Sequence, residues 1–385
     1  MKKYGIIFAL YLITVQAPVY ADEISKSTTE IEGVVSKAVL PLMQKESIPG
    51  MAVGVTYLGK QYIFNYGVAS RATNSPIQDS TLFELGSISK TFTVAVAAFA
   101  QKYGNLRLTE KVSKYLPEMA GTAFGDVELY HLATHTAGGF PLQLPDDIKT
   151  DNQLISYLQS WQPAYRAGTT RTYANPSIGM LGFITAKSMG TSYKELLEQR
   201  FLPQLGLLNT FIDVPQKRKS DYAQGYTKND KPARMTNAVL SDEAYGVKSS
   251  AADILSFLEA GMGIGSTDGD VQSALRITRT GYFNTGPMTQ DMIWEQYPYP
   301  VKLEQLLAGN SYDLIYKPKR VEEFVPPVGP KDNVFINKTG STNGFGGYVA
   351  FVPSLRVGIV ILANKNYPNE ERISLAYNIM MNLLK

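Results

Sequence analysis

Residues 334–363, VFINKTGSTNGFGGYVAFVPSLRVGIVILA, contain three short apolar segments separated by two turn sequences. The segments 334–338, 347–352 and 358–363 are rich in β-branched and aromatic residues, which favours strands. A glycine-rich sequence joins the first two segments, and Pro-Ser-Leu-Arg joins the last two. Because short connections join antiparallel neighbours, this stretch predicts three adjacent antiparallel strands and decides the class of the fold.

Regular patterns on both sides of this stretch predict elements that extend the sheet and cover it. Apolar residues at helical spacing predict a helix over 369–384, after the strands, and another over 23–46. Residues 51–57 and 61–67 are predicted to form a β-hairpin, because both are β-rich and a short turn sequence separates them. A further helix is predicted over 87–103.

These elements predict an α/β (α+β) fold, in which an antiparallel β-sheet flanked by helices is built from both chain ends and carries an inserted, mostly helical region. We expect a single domain over residues 22–385. Its α/β part takes about 22–100 and 330–385, with further segments from the middle of the chain, and its mostly helical part takes about 104–205. Residues 261–330 show no pattern from which elements can be predicted.

The first residues have the pattern of a secretory signal peptide. Lys2 and Lys3 give a positive start, residues 5–15 are mostly apolar but too few to span a bilayer, and small residues up to Ala21 fit a cleavage site. We therefore expect residues 1–21 to be removed. The mature protein is expected to be exported without a membrane-spanning segment, to the periplasm in a Gram-negative bacterium.

Composition argues against several classes of protein. The 385-residue chain has 37 basic and 34 acidic side chains and a formal net charge of +3, whereas a dedicated nucleic-acid-binding protein usually has a strongly basic face. The absence of cysteine excludes thiol nucleophiles, thiolate metal sites and disulfides. The two histidines, His131 and His135, have the spacing of a zinc-protease motif but Leu132 replaces its glutamate. We expect that pair to be structural, and we expect no cofactor.

Ser87 and Lys90 form a Ser-x-x-Lys sequence in the first turn of a predicted helix, where they lie on the same side. Unpaired backbone N–H groups there could stabilise the oxyanion formed when the hydroxyl attacks a carbonyl. Lys90 could accept the hydroxyl proton if burial lowers its pKa. An N-cap serine followed by a surface lysine gives the same spacing, so the spacing alone leaves both interpretations open.

The sequence Lys338-Thr339-Gly340 ends a predicted strand and enters a glycine-rich turn. The free backbone groups of a strand end can pair with a peptide-like substrate, and the lysine and threonine add a cation and a hydroxyl for an anionic one. An ordinary hairpin turn with a solvated lysine is the alternative interpretation.

The sequence Tyr173-Ala174-Asn175 contains a phenol that neighbouring ammonium groups could convert into a usable base. The alternative is a tyrosine that packs its ring and an asparagine that shapes a turn before Pro176.

In this order, Ser-x-x-Lys, Tyr-x-Asn and Lys-Thr-Gly together resemble a known family. Ser-x-x-Lys and Lys-Thr-Gly are motifs of penicillin-binding proteins and class A β-lactamases, and Tyr-x-Asn in place of Ser-Asp-Asn is similar to class C β-lactamases and the related D,D-peptidases and esterases. The likeness runs from about residue 30 to the C-terminus. Other segments that resemble class C enzymes are PGMAVGV at 49–55, FELG at 83–86, LQLPD at 142–146, EAYGVKS at 243–249 and LANKNYPN at 362–369.

The resemblance implies a catalytic role for four side chains. Ser87 would be the acylated nucleophile, Lys90 and Tyr173 would share the activating proton transfer, and Lys338 would support Tyr173 electrostatically. The backbone N–H groups of Ser87 and Ser341 would form the oxyanion hole. No role is carried to Asn337, which stands where many class C enzymes have histidine.

The resemblance also implies a set of substrate-binding residues. Asn175 would bind the side-chain amide of the substrate, Gln143 and Tyr245 would line the pocket for the acyl side chain, and Asn369 and Arg372 would lie near the substrate carboxylate. With the strand end, the full expected set is Gln143, Asn175, Tyr245, Thr339, Gly340, Ser341, Asn369 and Arg372.

The function implied is that of a serine β-lactamase of the cephalosporinase type, which hydrolyses a small-molecule β-lactam through an acyl-enzyme on Ser87. We expect a monomer that binds no nucleic acid. Two alternatives share the nucleophile: a D,D-peptidase or esterase on the same scaffold, and a penicillin-binding sensor that is acylated without turnover.

Overall fold

The central sheet of the molecule is built from strands of both chain ends. The computed structural model describes residues 26–265 and 268–385, so the predicted signal peptide lies outside the described residues. The strands of the described residues are β1 (Gly50–Tyr57), β2 (Lys60–Gly67), β3 (Phe83–Glu84), β4 (Thr170–Arg171), β5 (Thr210–Phe211), β6 (Gly225–Tyr226), β7 (Pro232–Ala233), β8 (Lys248–Ser249), β9 (Gly281–Asn284), β10 (Thr289–Gln290), β11 (Glu295–Pro298), β12 (Lys319–Arg320), β13 (Glu322–Val328), β14 (Val334–Ser341), β15 (Gly346–Val352) and β16 (Val357–Ala363). Nine of them form the central sheet, in the order β13-β9-β10-β11-β14-β15-β16-β1-β2.

The register of the sheet confirms the predicted fold class. Strands β14, β15 and β16 are antiparallel neighbours, and β16 pairs with β1, so that Met51 lies opposite Ala363. The N-terminal hairpin β1–β2 therefore adds directly to the C-terminal meander, as expected for a sheet built from both chain ends.

Helices cover the sheet on both faces. The helices of the described residues are α1 (Thr28–Lys45), α2 (Ser89–Lys102), α3 (Leu129–Ala133), α4 (Asp151–Ser160), α5 (Asn175–Ser188), α6 (Tyr193–Glu195), α7 (Ser241–Ala244), α8 (Ala251–Met262), α9 (Gly269–Ile277), α10 (Leu303–Gly309), α11 (Tyr312–Tyr316) and α12 (Asn369–Leu383). None of them is long and apolar enough to cross a bilayer.

Alternating residues of each central strand belong to two separate cores, because successive side chains of a strand point to opposite faces. Ile359 and Ile361 pack with α1 and α12. Val360 and Leu362 pack with α2 and α8. Both faces are therefore buried, which explains why β16 is apolar throughout rather than alternating.

One expected helix boundary needs correction, and one region without predicted elements contributes strands to the sheet. The helix predicted from residue 87 begins as α2 at Ser89, because Gly86–Ile88 form a separate 3₁₀ turn in which Gly86 has a positive φ of 54°. The region 261–330, which showed no pattern, contributes β9, β10, β11 and β13 to the sheet. Two of these strands have only four residues and one has two, which is too short for an alternating pattern to be recognised.

Candidate active site

The turn that carries Ser87 lies directly against the end of strand β14. A Cβ atom on Gly86 would lie 2.3 Å from the Ser341 carbonyl oxygen, and one on Gly340 would lie 2.1 Å from the Leu85 carbonyl oxygen. Only glycine permits this approach of two backbones. The sequence thus places the Ser87 hydroxyl beside the free end of a strand.

Lys90 lies in the first turn of α2 and is fully buried. Its Nζ donates to Ser87 Oγ at 3.0 Å and to the Ala244 carbonyl oxygen at 2.8 Å. Burial lowers the pKa of Lys90 to about 8, because desolvation penalises the ammonium form and the nearby Lys338 adds to the effect, although Tyr173 opposes it. With this pKa, part of the Lys90 side chains are neutral amines near neutral pH and can accept the serine proton.

Tyr173 stands between the two lysines at the cleft. Its ring centre lies 5.3 Å from Lys90 Nζ and 5.4 Å from Lys338 Nζ. Burial alone would raise the pKa of Tyr173, but the positive charges of Lys338 and Lys90 and a hydrogen bond with Ser87 outweigh burial and lower it to about 8. The phenolate is therefore accessible as a base next to the hydroxyl it would activate.

Lys338 projects from β14 and is also buried. Its Nζ lies 3.5 Å from Oε1 of Glu295, a buried carboxylate on the neighbouring strand β11. Burial lowers the pKa of Lys338, but the Glu295 and Tyr173 charges more than offset burial, so the pKa lies above its usual 10.5. Lys338 is therefore a fixed positive charge beside the phenol.

A cleft of about 430 Å³ opens over these groups. It brings together most of the predicted residues, which come from widely separated parts of the chain: Ser87, Gln143, Tyr173, Asn175, Tyr245, Lys338, Thr339, Gly340, Ser341 and Asn369. Lys90 lies behind Ser87 rather than at the surface of the cleft. Further lining residues to which the sequence analysis assigned no role are Leu142, Met235, Thr236, Ile315, Tyr316, Thr342, Asn343 and Asn366.

Asn175 begins helix α5, and its backbone N–H donates to the Leu142 carbonyl at 2.9 Å. Its side-chain Oδ1 is buried and has no hydrogen-bond partner among the described residues. An unpaired buried acceptor is costly, and a bound amide N–H would satisfy it.

Arg372, like Lys90, lies behind the residues that line the cleft. Its buried guanidinium donates to the Gly340 carbonyl at 2.8 Å, to Ser341 Oγ at 2.6 Å, to Asn366 Oδ1 at 3.1 Å and to the Tyr367 carbonyl. Arg372 therefore lies directly behind the strand end and donates to Ser341, which lines the cleft.

The two histidines lie in different surroundings. His131 packs against the Tyr130 ring at 4.0 Å between ring centres, and its Nδ1 shares a hydrogen bond of 2.8 Å with Thr136 Oγ1. His135 packs against Tyr173, with 4.3 Å between ring centres. In residues 26–265 and 268–385, no group of three or more His, Cys, Asp or Glu residues has a geometry that could hold a metal ion.

Sequence reasoning missed two groups that contact the lysine ammonium groups. The Ala244 carbonyl accepts from Lys90, and the Glu295 carboxylate pairs with Lys338. A backbone carbonyl leaves no trace in a sequence. Glu295 lies in the region without a recognisable pattern and reaches Lys338 only through the register that places it opposite Asn337.

Comparison with known proteins identifies relatives along nearly the whole chain. A sequence model of the family described as Beta-lactamase matches residues 35–381. A Pseudomonas fluorescens protein named β-lactamase is 46% identical over 352 residues, which cover 91% of this chain and 98% of that protein. A crystal structure of a class C β-lactamase in complex with cefoxitin superposes with a TM-score of 0.90 at 46% identity, covering 92% of this chain and 99% of that one. A D-alanine carboxypeptidase from Burkholderia cenocepacia superposes with a TM-score of 0.89 at 48% identity, covering 92% and 100% of the two chains.

Proposed function

The chain belongs to the beta-lactamase family, and on that premise we propose that it is a serine β-lactamase that opens the ring amide of a β-lactam through an acyl-enzyme on Ser87. One observation carries this proposal: Ser87, Tyr173 and Lys338 line one cleft and Lys90 lies directly behind Ser87. Lys90 Nζ is 3.0 Å from Ser87 Oγ, and both lysine Nζ atoms are within 5.4 Å of the Tyr173 ring centre. Relatives named β-lactamase favour this activity over a D,D-peptidase or esterase.

In acylation, the Ser87 oxygen forms a bond to the β-lactam carbonyl carbon while its proton passes to the Lys90–Tyr173 pair. The ring C–N bond then breaks, and the ring nitrogen takes a proton from the same pair. The low pKa of each member, about 8, supports this use, and the pair is best treated as one titrating unit. The backbone N–H groups of Ser87 and Ser341 hold the oxyanion.

In deacylation, the oxygen of a water molecule forms a bond to the ester carbonyl carbon and its proton passes to a base. The bond between that carbon and the Ser87 oxygen then breaks, the base returns the proton to Ser87, and the ring-opened acid leaves. Class A enzymes use a glutamate for this step, but the cleft-lining residues include no carboxylate. The Lys90–Tyr173 pair therefore serves both half-reactions, with Lys338 holding the phenolate form of Tyr173 available.

Substrate recognition uses the walls of the cleft. The unpaired Oδ1 of Asn175 accepts from the side-chain amide of the substrate, and Gln143 and Tyr245 contact the acyl side chain. The strand end at Thr339 and Gly340 pairs with the substrate backbone. Asn369 lines the cleft and Arg372 donates to Ser341 Oγ beside it, and these two residues lie near the carboxylate of the bound substrate.

We further propose that the activity is of the cephalosporinase type and that the protein acts as a monomer in the periplasm. The likeness of the sequences around Gln143 and Asn369 to class C enzymes supports a β-lactamase over a peptidase, and the signal-peptide pattern of residues 1–21 supports export.

Replacing Ser87 by alanine tests the proposal. The Ser87→Ala variant should lose the acyl adduct in mass spectrometry and all measurable cephalosporin turnover, while Ser113→Ala, a change in a short turn outside the cleft, should leave both unchanged. Parental turnover in Ser87→Ala would refute the mechanism.

A substrate panel separates the alternatives. The parental enzyme should turn over a cephalosporin faster than a D-Ala-D-Ala peptide or a simple ester, and it should return rapidly to free enzyme. Faster turnover of the peptide or ester would indicate the peptidase or esterase, and a lasting adduct on most molecules would indicate the sensor.

A further inference from the structure

We propose that His135 is a positioning residue that holds Tyr173 in its catalytic place by hydrogen-bonding the chain on both sides of it. The inference rests on the role proposed above for Tyr173. It assigns a function to a histidine that the sequence suggested to be merely structural.

One residue receives hydrogen bonds from both neighbours of Tyr173. The His135 carbonyl oxygen accepts from the Thr172 N–H at 2.8 Å, and His135 Nδ1 accepts from the Ala174 N–H at 3.3 Å. The imidazole also packs against the phenol, with 4.3 Å between ring centres and 44° between ring planes. Tyr173 is therefore fixed by contacts before it, after it and across its ring.

The backbone of His135 is what allows this double contact. His135 has a positive φ of 61°, a conformation that is uncommon for residues other than glycine and in which asparagine, aspartate and histidine are enriched. With this conformation both the carbonyl and the side chain of His135 reach the same short segment. A further hydrogen bond joins the adjoining helix α3 to α5, since Ser177 Oγ donates to the Leu132 carbonyl at 3.0 Å.

The imidazole contributes position rather than charge. Because Nδ1 accepts a backbone N–H, the ring proton lies on Nε2 and the ring is neutral. Burial lowers the pKa of His135 well below 6.5, and the cations Arg171, Lys90 and Lys338 that face it lower it further. Its buried Nε2 has no hydrogen-bond partner among the described residues, so the polar contact of the ring is the one to Ala174.

The position of the phenol matters for the reaction because a base displaced by about 1 Å can lose about 100-fold in rate. Tyr173 follows the two-residue strand β4 and precedes helix α5, so neither a long strand nor a helix interior fixes its backbone. His135 supplies the missing restraint from a separate segment of the chain.

A matched pair of variants tests the role. Asparagine and glycine both tolerate a positive φ, but only asparagine keeps an acceptor near the place of Nδ1. We expect His135→Asn to keep kcat within about threefold and His135→Gly to lower kcat by about 100-fold, with KM for a cephalosporin changed by less than about threefold. As a control, His131→Asn should lower the midpoint of thermal unfolding while keeping kcat.

The same changes in a Tyr173→Phe background separate positioning from general stability. If His135 acts through the phenol, His135→Gly should cause no further loss of kcat once the hydroxyl is absent. An equal loss in both backgrounds, or a folded His135→Gly variant with parental kcat, would overturn the inference. If His135→Gly does not fold, His135→Asn decides: near-parental kcat supports the inference and a loss of about 100-fold overturns it.

Failure of the underlying proposal gives a different result. Parental kcat in Tyr173→Phe alone would refute the role of Tyr173 itself, whatever the His135 variants do.

Discussion

Two buried lysines flank Tyr173. Lys90 lies behind Ser87 on the α2 side of the cleft (the helical wall), and Lys338 lies on the β14 side (the sheet wall). The two differ in what surrounds their ammonium groups. Lys90 faces a hydroxyl and a backbone carbonyl. Lys338 faces the carboxylate of Glu295 at 3.5 Å. The helical wall therefore offers neutral acceptors to its cation, and the sheet wall offers a counter-charge.

This difference changes what each lysine can do. A buried ammonium without a carboxylate partner loses its proton easily, whereas one beside a carboxylate keeps it. The pKa of Lys90 is lowered to about 8 by burial, while that of Lys338 is raised despite burial because of Glu295 and Tyr173. The fold thus places a lysine with a lowered pKa and a lysine with a raised pKa beside one phenol.

Removing the proton-exchanging lysine should have the largest effect. Lys90→Met keeps the length and apolar stem of the side chain but removes the amine. We expect kcat for a cephalosporin to fall by about 10³-fold, within the range for loss of a general acid–base group, and acyl-adduct formation to slow in mass spectrometry.

The control for this change lies on the same helix. Lys102 ends α2 and pairs with Asp270 at 3.2 Å, away from the cleft, so Lys102→Met should keep parental kcat. A Lys90→Met variant within twofold of the parent would show that the helical wall supplies no proton acceptor.

Removing the fixed charge should have the next largest effect. Lys338→Ala should lower turnover by about 100-fold if the charge is worth about 3 kcal/mol in the transition state. Lys248 is a matched control because it is also buried and donates to the Ile212 carbonyl at 2.7 Å. Lys248→Met should lower the thermal unfolding midpoint while keeping kcat within about threefold. An unchanged rate in Lys338→Ala would remove its electrostatic role.

The buried guanidinium of Arg372 also holds the strand end at Gly340 and Ser341 in place. Arg372→Lys keeps the charge but cannot donate to Gly340, Ser341 and Asn366 together. We expect kcat/KM to fall by about tenfold through displacement of the strand end and the thermal unfolding midpoint to fall. Arg356→Lys, at an exposed turn between β15 and β16, should leave both unchanged. Parental kcat/KM in Arg372→Lys would show that the strand end holds its place unaided.

The sequence predicted the two lysines but not the difference between them. Short-range spacing is enough to place Ser87 near Lys90, and a strand ending in Lys338-Thr339-Gly340 is recognisable from 334–363 alone. Glu295 is recognised as a partner only when β11 pairs with β14, a contact between residues 42 positions apart that depends on strand register.

Glu295→Gln should have the smallest effect on rate. It also gives the most direct test of why the pKa values of Lys90 and Lys338 differ. This change removes the counter-charge of the sheet wall while keeping the shape of the side chain. Glu295 raises the pKa of Lys338, and it also raises the pKa of Tyr173 because its negative charge disfavours the phenolate. Without the carboxylate charge both pKa values should fall.

The direction in which the pH profile of kcat/KM shifts follows from the protonation state in which Tyr173 acts as a base. The base works when deprotonated, so a lower pKa keeps it active at lower pH. The acid limb of kcat/KM should therefore move to lower pH in Glu295→Gln. At the plateau, kcat/KM should fall only a few-fold, because Lys338 loses its carboxylate partner but keeps its position on β14. Glu304→Gln, an exposed change on α10, should leave the limb in place. An acid limb of kcat/KM that moves to higher pH would show that Glu295 affects the protonation of Lys338 more than that of Tyr173. An acid limb that does not move would show that Glu295 has no effect on the protonation of Tyr173.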